Sequence, residues 1–318
     1  MKKFFTLLLA VISTMTAFAQ TEPAIELQAE VDGNTRTLTI GLGVEGTVQI
    51  DWGNGEKVTS EVIPAYDGWN QVNVFGTVSG DGKVKIYGDN IVYFDCSSRV
   101  DGAQVLSLDV TKATALKDLT ANTNKLTAID LTKNTELEKL TIDKNQLTSI
   151  DISKCTQLTT LVINNNLLTA IDITKNQALQ KLTISENKFA GELDLSTNPA
   201  LKYVYALNMD LNSVKIGNNT ASKPYFSFNY NKLTSIDASG INDAKNATLL
   251  LIGNQLTEIK LPSAKMSILR ISKNNFTLAT LPAPTVAKTF TYAPQNDYVI
   301  AESYKVGDVL DLSSQTSA

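Results

Sequence analysis

The chain is 318 residues long, 43% hydrophobic and 19% charged, with 28 Lys and Arg against 32 Asp and Glu and a formal net charge of −4. That composition argues against disordered, collagen-like and multi-span membrane classes, and the mildly acidic balance gives no reason to expect a nucleic-acid or anionic-membrane partner. Histidine is absent, which removes Ser-His-Asp and Cys-His chemistry, histidine-ligated metals and the side chain that by default exchanges protons near neutrality, so an enzyme would have to rely on carboxylates, Lys or Tyr.

Residues 1–19 read as a secretory signal peptide: Lys2 and Lys3 form a basic start, residues 4–12 an apolar core, and Ala17-Phe18-Ala19 an A-x-A cleavage site. The apolar core is too short for a membrane span. Cleavage before Gln20 removes two lysines and takes the charge from −4 to −6. No lipobox cysteine and no other long apolar run follow, so the mature chain is expected to be exported and free of membrane spans.

Residues 20–83 read as a β-rich N-terminal cap, with short strands over 37–42, 47–52, 71–75 and 83–87 and turns at Asp32-Gly33, Asn54-Gly55 and Asp81-Gly82. Asn54-Gly55 predicts a type I′ hairpin. The run Asp51-Trp52-Gly53-Asn54-Gly55 resembles the D-W-G-D-G signature of PKD-like domains, with Asn54 in place of the second acid. The resemblance implies a small β-sandwich-like cap.

From residue 84 to 283 a solenoid is expected. Its frame is cleanest in Leu137-x-x-Leu140-x-Ile142-x-x-Asn145, Leu158-x-x-Leu161-x-Ile163-x-x-Asn166 and Leu179-x-x-Leu182-x-Ile184-x-x-Asn187, whose asparagines recur every 21 residues. The frame reaches back to Asn124 and forward through Met209, in the asparagine slot, to Asn231, Asn254 and Asn274. A second half-unit follows each first one, as in Leu147-x-x-Ile150-Asp151-Ile152. Two short alternating stretches joined by polar corners describe one coil of a flattened solenoid, which buries its Leu and Ile only when neighbours stack on it. The asparagines Asn124, Asn145, Asn166, Asn187, Asn231, Asn254 and Asn274 are expected to form a structural ladder, because a buried amide can satisfy backbone groups where the strand bends. At the start of the solenoid, Val84, Ile86, Ile91, Phe94 and Cys96 fit the apolar slots. Asp109 follows Asp95 after only 14 residues, so the first coil is expected to be irregular.

These residues resemble the leucine-rich repeat family, in particular the 21-residue class of internalin-like surface proteins and of exported Bacteroidetes proteins. The resemblance implies a right-handed superhelix with a parallel sheet on its concave face and a role in recognising proteins or glycans. In this register Cys96 and Cys155 lie three rungs apart, roughly 14 Å at 4.8 Å per strand, beyond disulfide reach. Two buried thiols are expected, with no metal site and no cofactor.

Side chains flanking the repeat isoleucine should point away from the core. They are small and polar early in the stack, as at Thr120, Asn122, Thr141 and Asp143, and change to Tyr205, Leu207, Leu250 and Ile252 later, with Tyr203, Tyr225 and Tyr230 nearby. An aromatic and aliphatic patch of this kind marks either a recognition site or irregular packing. A column of aspartates, Asp95, Asp109, Asp130, Asp151, Asp172, Asp194 and Asp237, is read as Asp-x-Ser/Thr-Lys turns in preference to a calcium site. Residues 284–318 are expected to be a linker and the opening strands, over 298–312, of a truncated β-domain. The chain as a whole is expected to be a non-enzymatic module that binds a protein or glycan at the cell surface, in adhesion, or alternatively a structural spacer in a larger surface protein.

Overall fold

The computed structural model describes residues 22–64, 70–98, 104–277 and 279–296. The expected signal peptide and the expected strands over 298–312 lie outside them. Eight strands open the described chain: β1 (Ile25–Ala29), β2 (Thr35–Leu42), β3 (Gly46–Asp51), β4 (Lys57–Pro64), β5 (Asn70–Thr77), β6 (Lys83–Tyr87), β7 (Ile91–Asp95) and β8 (Val105–Asp109). They pair antiparallel in two runs, β4-β3-β6-β1-β8 and β4-β5-β2-β7. Ile25, Leu27, Leu38, Ile40, Val48, Ile50, Val84, Ile86 and Phe94 are buried, as alternating apolar positions require when one face of each strand meets a core.

The β3–β4 connection is not a two-residue type I′ turn: Asp51 pairs with Lys57, leaving a five-residue loop over 52–56. The Asp51 carboxylate accepts the backbone N–H groups of Gly53 and Gly55, each at 2.9 Å, and both glycines take positive φ. The carboxylate therefore winds the loop around itself, and Asn54-Gly55 is only its middle. Val84 and Ile86, assigned to the first coil, belong to β6, which pairs antiparallel with β1 and β3. Parallel pairing begins at β7, where Tyr93, Phe94 and Asp95 meet Asp118, Leu119 and Thr120.

Beyond it lie β9 (Asp118–Thr120), β10 (Lys139–Thr141), β11 (Thr160–Val162), β12 (Lys181–Thr183), β13 (Ala190–Asp194), β14 (Tyr203–Tyr205), β15 (Asp210–Lys215), β16 (Tyr225–Ser227), β17 (Thr248–Leu250), β18 (Met266–Arg270) and β19 (Ala287–Thr291). All but β13 and β15 extend one parallel sheet away from β7, one strand per coil. The molecule is thus a β-solenoid with a parallel sheet. That sheet runs to residue 291, past the expected end at 283. β13 and β15 pair in parallel as a separate two-stranded sheet.

The sheet strands are mostly three residues long because each coil must turn at once. The middle residue of each is buried, as at Leu119, Leu140, Leu161, Leu182, Val204, Phe226, Leu249 and Leu269, and stacks on its counterpart in the next coil. Every corner is made the same way. The residue before the asparagine slot adopts a left-handed φ: Thr123, Lys144, Asn165, Glu186, Asn208, Tyr230, Gly253 and Lys273. Only Gly253 avoids the steric cost of that conformation. A Cβ there would also come within 2.6 Å of the Tyr230 ring, which lies over it.

Candidate recognition surface

Because a strand alternates its side chains, the residues on either side of the buried centre face outward, and the parallel register lines them into rows along the stack. The first row runs Tyr93, Asp118, Lys139, Thr160, Lys181, Tyr203, Tyr225, Thr248, Ile268 and Thr289; the second runs Asp95, Thr120, Thr141, Val162, Thr183, Tyr205, Ser227, Leu250, Arg270 and Thr291. A third row follows two residues further on: Ser97, Asn122, Asp143, Asn164, Ser185, Leu207, Asn229, Ile252 and Ser272.

The tyrosines meet across the first two rows. The Tyr205 and Tyr225 ring centroids are 5.4 Å apart and tilted by 33°, within the range in which aromatic pairs attract. Tyr203 is 39% exposed, and the Lys202 ammonium sits 5.2 Å from its ring centroid. Burial and the neighbouring Tyr225 and Tyr203 phenols push the Tyr205 hydroxyl above its ordinary pKa. Leu207 is half-buried in the same coil, and Leu250 and Ile252 are half-buried two coils on. Tyr230 stands apart: 50% exposed, it occupies the left-handed corner and covers Gly253.

The early coils present a different chemistry. Asp118 and Asp143 lie on the face with pKa values raised by burial, in Asp118 against the pull of Lys139 at 3.6 Å. Lys117 pairs with Glu138 at 3.3 Å.

The third row has a role that pattern reading missed. Ser97 Oγ accepts the backbone N–H of Asn122, Asn122 Oδ1 that of Asp143, Asn164 Oδ1 that of Ser185, Ser185 Oγ that of Leu207, and Asn229 Oδ1 that of Ile252, at 2.8–3.1 Å. Each polar side chain caps the amide one coil further on. Leu207 and Ile252 have no acceptor to offer, and among the described residues the N–H groups of Asn164, Asn229 and Ser272, which face Asp143, Leu207 and Ile252, have no protein hydrogen-bond partner. Asp143 makes no cap either.

Beneath the face, the seven slot asparagines are buried and form a hydrogen-bonded ladder in two runs, Asn124 to Asn187 and Asn231 to Asn274, with Met209 between them. Asn166 is representative: its Nδ2 donates to the carbonyl of Ile142 in the preceding coil (3.1 Å) and to Ile163 in its own (3.2 Å), and its Oδ1 accepts Leu147 N–H (3.0 Å). Asn124, Asn145, Asn187, Asn231, Asn254 and Asn274 repeat both roles. Met209 cannot, and its coil departs from the others there: Asp210 begins β15, on which β13 pairs.

A second, unforeseen ladder runs through the far corners. Asn134 Nδ2 donates to the carbonyls of Val110 and Ala113, Asn176 to Ile152 and Cys155, and Asn198 to Ile173 and Asn176, at 2.8–3.0 Å. Cys155 occupies the rung between Asn134 and Asn176. Cys96, by contrast, directly follows β7 beside the sheet. The two cysteines are free and buried, on opposite sides of their coils rather than on one column. Burial pushes their thiols to about 12 for Cys96 and about 11 for Cys155.

The aspartate column takes local partners. Asp109, Asp130, Asp151, Asp172, Asp194 and Asp237 each accept the N–H two residues on, at 2.8–2.9 Å. Lysines of the following coil then pair with two of them, Lys215 with Asp194 at 3.1 Å and Lys260 with Asp237 at 2.8 Å. Among the described residues, no three Cys, Asp or Glu side chains gather as a metal-binding group, and no helix is long and apolar enough to cross a membrane.

No family model and no curated protein matches the chain. Among solved structures it is similar to the functional domain of InlJ from Listeria monocytogenes, described as including a cysteine ladder: 25% identity over 57% of this chain and 46% of that one, with a TM-score of 0.43. It is also similar to the leucine-rich effector YopM from Yersinia pestis, at 20% identity over 59% and 56% with a TM-score of 0.42. A leucine-rich repeat protein of Leptospira interrogans is similar at 20% identity over 53% and 52%, with a TM-score of 0.38. The chain spans about half the length of these proteins.

Proposed function

We propose that this leucine-rich solenoid is an exported, non-enzymatic recognition module that binds a protein or glycan through the outer face of its parallel sheet, in adhesion at a cell surface. The binding residues in this reading are Tyr203, Tyr205, Leu207, Tyr225, Leu250 and Ile252, with Tyr230 at the rim. One observation carries it. At Leu207 and Ile252 the third row gives up an amide cap that five other coils make, and puts aliphatic side chains beside a tyrosine cluster instead. Leu207 and Ile252 carry no hydrogen-bonding group in their side chains, so at these two coils the outer row adds apolar surface to the tyrosine cluster and its side chains take no part in the coil-to-coil hydrogen bonding. A rigid sheet also presents such side chains with little ordering cost on binding. The export step rests on the first 19 residues, whose pattern of basic start, apolar core and A-x-A site suits a signal peptide.

The test replaces Tyr203, Tyr205 and Tyr225 together by Ser and measures capture of surface-extract proteins and glycans by the purified chain. Loss of capture with unchanged circular dichroism supports the reading. Unchanged capture points to the structural spacer, a role the small, polar early coils suit.

A further inference from the structure

We infer that the later half of this face takes a short polypeptide segment, apolar in its middle and acidic at both ends, laid across the strands. The inference rests on the proposed role of the sheet face and adds the identity of the partner. Along the three outward rows the charges separate. Asp95, Asp118 and Asp143 lie in the early coils, whereas from Lys181 to Thr291 the rows carry no acid, and their charged side chains are Lys181 at one end and Arg270 at the other. Among the described residues no carboxylate lies within ion-pair reach of Lys181, Lys202 or Arg270. Between these cations lie Tyr203, Tyr205, Tyr225, Leu207, Leu250, Ile252 and Ile268.

Four coil steps separate Lys181 from Arg270, about 19 Å at the usual strand spacing, which an extended segment of roughly six residues spans. The apolar floor excludes a sugar as the better fit: Leu207, Leu250, Ile252 and Ile268 would desolvate hydroxyl groups and offer them no partner. Apolar side chains of a peptide lose nothing there. Its carbonyl oxygens also have donors to meet, the free N–H groups of Asn229 and Ser272 beside those two aliphatic residues. Tyr and Arg at the centre and rim match the composition of energetic hot spots.

The experiment displays a random library of peptides of about eight residues against the full chain, with a glycan array run in parallel. Three variants are compared with the parent: the triple Tyr→Ser chain, Lys181→Glu with Arg270→Glu, and Leu207→Asn with Ile252→Asn. The last pair supplies the missing amide caps, so it is expected to fold at least as well as the parent while losing the floor.

Enriched peptides should carry Asp or Glu at their ends and Leu, Ile or Phe between. The parent should bind them at least about tenfold more tightly than each variant, and added salt should weaken them. Tyrosine-dependent peptides without acidic ends, or with unchanged affinity for the charge-reversed variant, would overturn the inference. Tyrosine-dependent binding to glycans alone would overturn it too, while leaving the sheet-face reading intact. No tyrosine-dependent binding in either format would overturn both.

Discussion

Asn166 is the sharpest place to test what holds the coils together. Replacing it by Ala removes the acceptor of Leu147 N–H and one of two donors to each of the Ile142 and Ile163 carbonyls. Those carbonyls keep Asn145 at 3.2 Å and Asn187 at 2.9 Å, so their loss is partial, and the Leu147 N–H alone is orphaned. An orphaned buried donor costs ~1–3 kcal/mol and the two weakened carbonyl bonds add about 1, which puts Asn166→Ala at roughly 2–4 kcal/mol. Asn166→Asp separates the two roles. It keeps an acceptor for Leu147 N–H but turns a charged oxygen toward two carbonyls, so its folded-state pKa is raised. A raised carboxylate pKa means stability that is present at low pH and lost as pH rises past the unfolded value, so this variant should be destabilised more at pH 7 than at pH 4. Urea unfolding followed by circular dichroism gives the stabilities, and hydrogen exchange reads the Leu147 amide directly. A cost below about 1 kcal/mol for Asn166→Ala with unchanged exchange at Leu147 would refute the ladder as a source of stability.

Three further outcomes follow from the same geometry. Burial holds Cys96 and Cys155 as thiols to about 12 and about 11, so neither should react with Ellman's reagent at pH 8 until denaturant is added, when both should; prompt labelling of the folded chain would contradict their burial. Cys155→Asn would replace the weak Sγ bond to the Leu131 carbonyl, 3.8 Å long, by amide bonds to the Leu131 and Asn134 carbonyls, as Asn176 gives Ile152 and Cys155, while burying an Oδ1 that, like those of Asn134 and Asn176, has no partner, so it should change stability by no more than ~1 kcal/mol in urea unfolding; a larger loss would mean the rung is shaped for sulfur. Lys260 and Ser239 hold Asp237 at a pKa of about 2. A depressed carboxylate pKa contributes stability above the unfolded value that is lost as pH falls toward 2, so Lys260→Ala should lower the melting temperature slightly at pH 7 and not at all near pH 2. The pair is largely exposed, so the effect at pH 7 is expected to be a few tenths of a kcal/mol.

What the sequence made legible follows from which positions are used alike in every coil. Leu140, Leu161 and Leu182 stack on their own counterparts, so the repeat must reuse one residue type, and the solenoid with its parallel sheet can be read from their spacing. The left-handed corner cannot, because it is filled by Thr123, Lys144, Asn165 and Glu186, residues that share a conformation and no chemistry. The far ladder escaped for a related reason: Ala113 and Cys155 occupy two of its rungs, so Asn134 and Asn176 stand 42 residues apart and look like isolated polar residues. At the N-terminal junction, β6 pairs antiparallel on both sides, whereas β7 pairs antiparallel with β2 on one side and parallel with β9 on the other. Alternation reports burial and is silent about strand direction, and so the boundary at 84 fell inside β6. The candidate surface shows the same division. Its residues are readable as those that flank the repeat isoleucine, but the capping bonds of Ser97, Asn122, Asn164, Ser185 and Asn229 cross from coil to coil and exist only in three dimensions. Without them Leu207 and Ile252 are two more hydrophobic residues in a hydrophobic chain; with them, they join Asp143 as positions where the stack makes no cap, and they are the two where an aliphatic side chain stands beside the open amide.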